Sequence, residues 1–200
     1  MRNMKEPLID QPGLPPAQGE EEHLSLALAN SAIALTGGHT VDLLGAPAQA
    51  NHWLTARGLA PVDAGMREMC ATQLRSLREQ IRSLFAARTE GLPAIPAAVR
   101  AVNDAMTRVP TAPLLQWDDK SGPYRATPHP TTAIVDHALA TLAADAADLL
   151  TGPDADRLTA CGSAPCNRYL LRYGRRHWCS TRCGDRARAA RAYARRTASP

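Results

Sequence analysis

The sequence predicts a mainly α-helical protein with a small β-hairpin: a helical N-terminal body, then a small C-terminal module made of a short hairpin and a basic helix held by metal. Three observations predict it. Apolar residues recur at spacings of three and four over long stretches between residues 47 and 150. Four of the five cysteines fall between Cys161 and Cys183. Residues 157–200 carry eleven arginines against one acid, Asp185, so that segment is +10 and the preceding residues are −6, in a chain whose total is +4.

Residues 1–22 read as a flexible leader, acidic through Glu6, Asp10 and Glu20 to Glu22 and broken by prolines and glycines. From His23 to Leu35 the apolar run of Leu24, Leu26, Leu28, Ile33 and Leu35 reads as a helix stopped at Gly37-Gly38, although a strand also fits it. Pro47 opens a second helix that ends at Gly58. The clearest helix is Ala64 to Thr89, where Met66, Met69, Cys70, Leu74, Leu77, Ile81, Leu84 and Phe85 form a core stripe. Pro96 to Arg108 is a further helix. Pro113 to Trp117 and Tyr124 to Thr127 then pair as a β-hairpin around a turn at 118–122. Thr131 to Leu150 resumes helical spacing until Thr151-Gly152-Pro153 stops it, which divides a body over 23–152 from a terminal module over 157–197.

In that module the cysteines follow C-x4-C-x12-C-x3-C: Cys161, Cys166, Cys179 and Cys183. Each close pair supplies two thiolates from one turn, and the dozen residues between them suffice for a hairpin that brings the turns together, as a tetrahedral Zn(2+) site requires. Disulfides are the competing explanation, and a chain without a secretion signal does not favour them. Four thiolates leave no open coordination position, so one structural ion is expected, and a segment this short needs it to fold. Tyr169-Leu170-Leu171 reads as one strand, with His177-Trp178 as its return. Ser180 reads as the N-cap of a helix through Arg196 with Cys183 in its first turn. The whole is a treble-clef-like zinc finger.

Composition and missing motifs exclude several functions. Aromatics make up 4% of the chain and Phe85 is the one phenylalanine, so the core is built from Leu, Ala, Val and Ile. Heavy use of Ala, Arg, Pro and Gly fits a GC-rich bacterial genome. No apolar run is long enough to span a membrane, and no basic start precedes an apolar stretch, so a cytoplasmic location with no membrane partner is expected. No Walker, Rossmann, zincin or nucleophile-elbow motif occurs, the six histidines are scattered, and Asp118-Asp119 and Asp145/Asp148 read as solvated carboxylates. The chain is not expected to be an enzyme.

Trp178-Cys179-Ser180 followed by Cys183-Gly184-Asp185-Arg186 resembles the CGNR zinc finger of bacterial stress-induced transcription regulators, with Asp185 in place of the family's Asn. Leu24-Ser-Leu-Ala-Leu-Ala-Asn30-Ser31 is similar to the opening L-x-L-D-F-x-N-T of the ABATE domain that precedes that finger, with Ala27 and Leu28 replacing the Asp and the aromatic. The resemblance implies a zinc-dependent DNA-binding transcription regulator whose helical body senses a ligand or partner. Arg175, Arg176, Arg182, Arg186, Arg188, Arg191, Arg195 and Arg196 are the candidate DNA contacts, since guanidinium groups bond phosphates and guanine edges. One finger has a small footprint, so specificity calls for a homodimer. Asn30, His39 and Trp53 are the candidate lining of a pocket for a small-molecule effector. The alternative is a zinc-stabilised protein-interaction or RNA-binding module, with Tyr169, Tyr173 and Tyr193 available for stacking.

Overall fold

The computed structural model describes residues 15–109, 114–126 and 133–197. In chain order its elements are α1 (Leu24–Ala29), β1 (Ala32–Ala34), β2 (Thr40–Asp42), α2 (Pro47–Thr55), α3 (Glu68–Glu90), α4 (Pro96–Thr107), β3 (Leu114–Asp118), β4 (Gly122–Ala126), α5 (Ile134–Thr151), β5 (Leu158–Ala160), β6 (Tyr169–Leu171) and α6 (Thr181–Thr197). The strands form three antiparallel pairs, β1–β2, β3–β4 and β5–β6. The architecture is mostly helical with small hairpins, as its apolar periodicity requires.

Helix α3 is the spine. Its stripe of Leu74, Leu77, Ile81, Leu84 and Phe85 is buried against Leu26 and Leu28 of α1, Trp53 and Leu54 of α2, and Leu139, Leu142 and Leu149 of α5. Leu158, Tyr169 and Leu171 from the C-terminal strands belong to this same core. Burying such side chains is worth about 1.5–3 kcal/mol each, so the strands that lead to the cysteines are anchored by the body. Three members of the expected stripe differ: Met66 lies before α3 and is half-buried, Met69, in the first turn of α3, is exposed, and Cys70 is half-buried. Arg78 is buried instead, because its guanidinium bonds both carboxylate oxygens of Asp42 at 2.6 and 2.9 Å and the Ser31 hydroxyl at 3.2 Å.

The first apolar run splits where one helix was expected. Helix α1 ends at Ala29, the Ser31 hydroxyl caps it by donating to the Leu28 carbonyl at 2.8 Å, and the chain then enters the β1–β2 hairpin. Gly37-Gly38, expected as a helix stop, makes the hairpin turn. Asp145 lies at the start of α1, where it accepts the Ser25 N–H at 2.7 Å, and is half-buried, not solvated. The expected leader is likewise no free segment from Pro15 onward. The Gln18 carbonyl accepts the Leu171 N–H at 2.8 Å, so this stretch satisfies the outer edge of β6, and Ala17 is buried beside the cysteines. Its first part, residues 1–14, lies outside the described residues.

The hairpin expected around residues 118–122 is present as β3 and β4, paired from Leu114↔Ala126 to Asp118↔Gly122. Its expected outer ends at Pro113 and Thr127, and the expected helix start at Thr131, lie outside the described residues.

Candidate metal centre and nucleic-acid interface

The first cysteine turn follows β5 directly. The Cys161 N–H donates to the Arg168 carbonyl at 2.8 Å, extending the β5–β6 ladder, and the Cys166 N–H closes a turn on the Ser163 carbonyl at 2.9 Å. The strand partner differs from expectation: β6 pairs with the upstream Leu158–Ala160, not with His177-Trp178. Residues 177–178 form no strand; the His177 carbonyl accepts the Gly162 N–H at 3.2 Å, laying that segment beside the first turn. The second pair sits at the start of α6. There the Ser180 hydroxyl accepts the Cys183 N–H at 3.2 Å, the N-cap that the sequence implies.

These turns bring Cys161, Cys166, Cys179 and Cys183 together with every Sγ within 4.8 Å of the others. Cys166 and Cys183 each lie 3.6 Å from Cys179. A tetrahedron of Zn–S bonds of about 2.3 Å has edges of about 3.8 Å, so the donor set fits the ion. All five cysteines are free thiols, and no sulfur pair is near the roughly 2 Å of a disulfide. Hydrogen bonds from Cys166 and Cys179 pull Cys161 down to about 2, whereas the same sharing with Cys161 pushes Cys166 up to about 11 and raises Cys179 as well. Four thiolates held this close repel one another, and a dication supplies the positive charge they need.

Two guanidinium groups close around the sulfurs. Arg186 donates from Nη2 to Cys183 Sγ at 3.3 Å and to the Ser163 carbonyl at 3.1 Å, and from Nε to the Ser163 hydroxyl at 3.1 Å. Arg168 is 4% exposed; it donates to Glu20 at 2.7 Å and to the Pro15 carbonyl at 3.1 Å, with Cys179 Sγ at 3.9 Å. Positive charge here offsets the excess negative charge of a zinc tetrathiolate and orients its ligands. On the other side of α6, a Cβ at Gly184 would meet the Trp178 ring at 3.2 Å, so glycine lets the indole lie against the helix. Arg188 and Arg191 stack on that ring at 5.8 and 5.5 Å.

A seam of polar groups joins these elements to the body. Asn30 exchanges two hydrogen bonds with the Tyr169 backbone, and the Asn167 side chain pairs with β1, accepting the Ala34 N–H at 3.0 Å and donating to the Ala32 carbonyl at 3.1 Å. Arg82 bonds the Ala29 carbonyl at 2.6 Å and the Asn167 carbonyl at 3.0 Å.

A model described as "Putative stress-induced transcription regulator", ABATE, matches residues 22–153. The chain belongs to the ABATE family. A second model, the CGNR zinc finger, matches residues 157–196. No curated protein matches the chain. Neither family is an enzyme family, and among the described residues no helix is long and apolar enough to cross a membrane. The CGNR finger of this ABATE chain binds one structural zinc ion through its four clustered cysteines.

The structure sorts the other residues singled out from the sequence. Arg175, Arg176, Arg182, Arg191, Arg195 and Arg196 are exposed. Arg188 is exposed but forms an ion pair with Asp185, the residue that departs from the CGNR signature. Arg186 is turned inward onto the metal ligands. Asn30, His39 and Trp53 are not brought together: Asn30 is buried in the seam, Trp53 lies in the ABATE core with Arg57 over its ring at 4.0 Å, and His39 is exposed after the β1–β2 turn. A cavity of about 230 Å³ between residues 33–36 and the start of α6 has Arg168, Arg182 and Arg186 in its wall and none of those three. Sequence reasoning missed Arg78, Arg82, Asn167 and Arg168, for which no local pattern distinguishes a buried guanidinium or amide from a solvated one.

Proposed function

We propose that the chain is a DNA-binding transcription regulator made of two units, a helical body over 23–152 and a zinc finger over 157–197, with α6 as the element that meets the duplex. The observation that carries this reading is the arginine surface on the metal-held helix. Arg182, Arg191, Arg195 and Arg196 are exposed along it, with Arg175 and Arg176 on the turn before it, and Asp185 is the one carboxylate in residues 157–200. Arg188, Arg191 and Arg195 follow each other at three and four residues, so they share one side of the helix. A rigid row of guanidinium groups on a support that costs no further ordering on binding suits backbone phosphates. Arg186 is left out of the proposed contact, because its Nε and Nη2 are engaged with Ser163 and Cys183.

The test is fluorescence anisotropy of a labelled duplex with the zinc-loaded protein over a salt series. Each phosphate neutralised contributes about −0.9 to the slope of log K against log salt, so a slope of about −4 to −6 is expected from this surface. Binding that ignores salt, or a preference for single-stranded RNA or for no nucleic acid while zinc is retained, overturns it.

A further inference from the structure

The cavity of about 230 Å³ between residues 33–36 and the start of α6 reaches the metal ligands themselves. Cys166, Cys179 and Cys183 stand in its wall, and Cys161 does not. A water takes about 30 Å³ of liquid volume and a molecule of two oxygens about twice that, so a small hydroperoxide has room to enter. The sulfurs it would meet are not equivalent. Cys161, Cys179 and Cys183 are buried, whereas Cys166 is half-buried. Arg186 donates to Cys183 at 3.3 Å, and Arg168 faces Cys179 at 3.9 Å. Each of these cations draws electron density from its sulfur and lowers its reactivity. Among the described residues no guanidinium bonds Cys166, whose sulfur lies 3.6 Å from that of Cys179.

We propose that Cys166 is a site of oxidation by a small hydroperoxide, and that its oxidation releases the metal. The Cys166 thiolate attacks one peroxide oxygen: the S–O bond forms, the O–O bond breaks and hydroxide leaves. Sulfur is thereby oxidised by two electrons to a sulfenic acid, and the peroxide is reduced. Negative charge develops on the leaving oxygen, and Arg182, exposed in the same wall, is placed to meet it. Cys179 then attacks the Cys166 sulfur from 3.6 Å. An S–S bond forms, the S–O bond breaks and a second hydroxide leaves. Two thiolates and one peroxide have become one disulfide and two hydroxides. The new bond takes one sulfur from each cysteine turn, leaving Cys161 and Cys183, and two ligands do not retain an ion that needs four. The inference rests on the zinc site alone, so a failure of DNA binding would leave it standing.

The test treats the full, zinc-loaded chain with hydrogen peroxide beside a chromogenic chelator, with dimedone as the sulfenic-acid trap and mass mapping of peptides. Zinc is expected to appear in step with a Cys166–Cys179 disulfide, dimedone to mark Cys166 first, and dithiothreitol with zinc to restore the metal. Thr36 is exposed and lines the cavity. Thr36→Trp narrows the way in and slows zinc loss at least about threefold, while melting temperature and zinc retention without peroxide keep wild-type values. Cys70, half-buried on α3 and outside the cluster, is the internal reference. The order of marking in the wild type needs no variant and decides by itself. Oxidation of Cys70 while Cys166 stays reduced and zinc is retained, a first mark on Cys161, or a rate that Thr36→Trp leaves unchanged overturns the proposal.

Discussion

Asn30 and Tyr169 meet as though they were paired strands: the Asn30 side-chain oxygen accepts the Tyr169 N–H at 2.7 Å, and its amide donates to the Tyr169 carbonyl at 2.8 Å, across 139 residues of sequence. The same amide reaches Glu20 at 2.6 Å. One side chain thus ties the end of α1, the segment before it and the strand that carries the finger.

Asn30→Ala is expected to lower unfolding free energy by about 2–4 kcal/mol, since it leaves a buried N–H and a buried carbonyl unpaired. Asn30→Asp should cost at least as much, because a carboxylate there removes the donor and faces Glu20. Urea unfolding followed by fluorescence measures both; a loss below 1 kcal/mol contradicts the assignment.

The Asp42–Arg78 pair makes stability depend on acid. Burial raises the Asp42 carboxyl, but hydrogen bonds from Arg78 and from the Leu44 N–H outweigh it, and the group ends below its ordinary value of 3.8. A carboxyl lowered on folding stabilises above its unfolded value, and that contribution is lost as pH falls through the folded one. Asp42→Asn should therefore cost about 2–3 kcal/mol at pH 7 and progressively less below pH 4. A pH-independent difference between wild type and variant contradicts it.

Arg186 and Arg195 should separate cleanly. Arg186→Gln removes the donor to Cys183 and is expected to raise zinc transfer to a chelator by about 10–100-fold. Arg195→Gln should leave zinc retention unchanged and make the salt slope of DNA binding shallower by about 1. A chromogenic zinc assay and anisotropy, run on both variants, read the two effects.

Gly19 has a φ of +93°, and a Cβ there would lie 2.5 Å from Leu171 Cγ. Gly19→Ala is expected to cost about 2–4 kcal/mol, strain and overlap together. Gly58→Ala, also at positive φ but with nothing within 4 Å of its Cβ, should cost only about 1–2 kcal/mol. Thermal unfolding of the pair tests the ranking.

Withdrawing zinc should loosen more than the finger. Tyr169 and Leu171 lie in the ABATE core, so chelation is expected to lower the melting temperature of the whole chain and to change Trp178 fluorescence with it. A body melt unmoved by chelation contradicts this coupling.

The metal site was legible because its information is local: ligand spacing, the Ser180 cap and the turn residues all lie within a few positions of one another. Helices α2 to α5 were legible from their period. What the sequence hid depends on distant partners. Residues 23–35 are mostly apolar, with no clear period, and their break into α1 and β1 depends on Asn30 and Ser31 finding partners. Leu158–Ala160 is too short to show a period, so His177-Trp178 looked the better return strand. Eleven arginines look alike as letters; only packing shows that Arg168 and Arg186 face sulfur while Arg182, Arg195 and Arg196 face water.

The fastening of residues 15–22 to β6 also sets an order of events during synthesis. The ribosome releases Gln18 and Asn30 long before Leu171 and Tyr169, so α1 and the segment before it emerge with these partners unmatched until residue 171 has been translated. A nascent chain stalled before residue 169 lacks the Tyr169 ring that packs edge-on against Phe85 with centroids 5.6 Å apart.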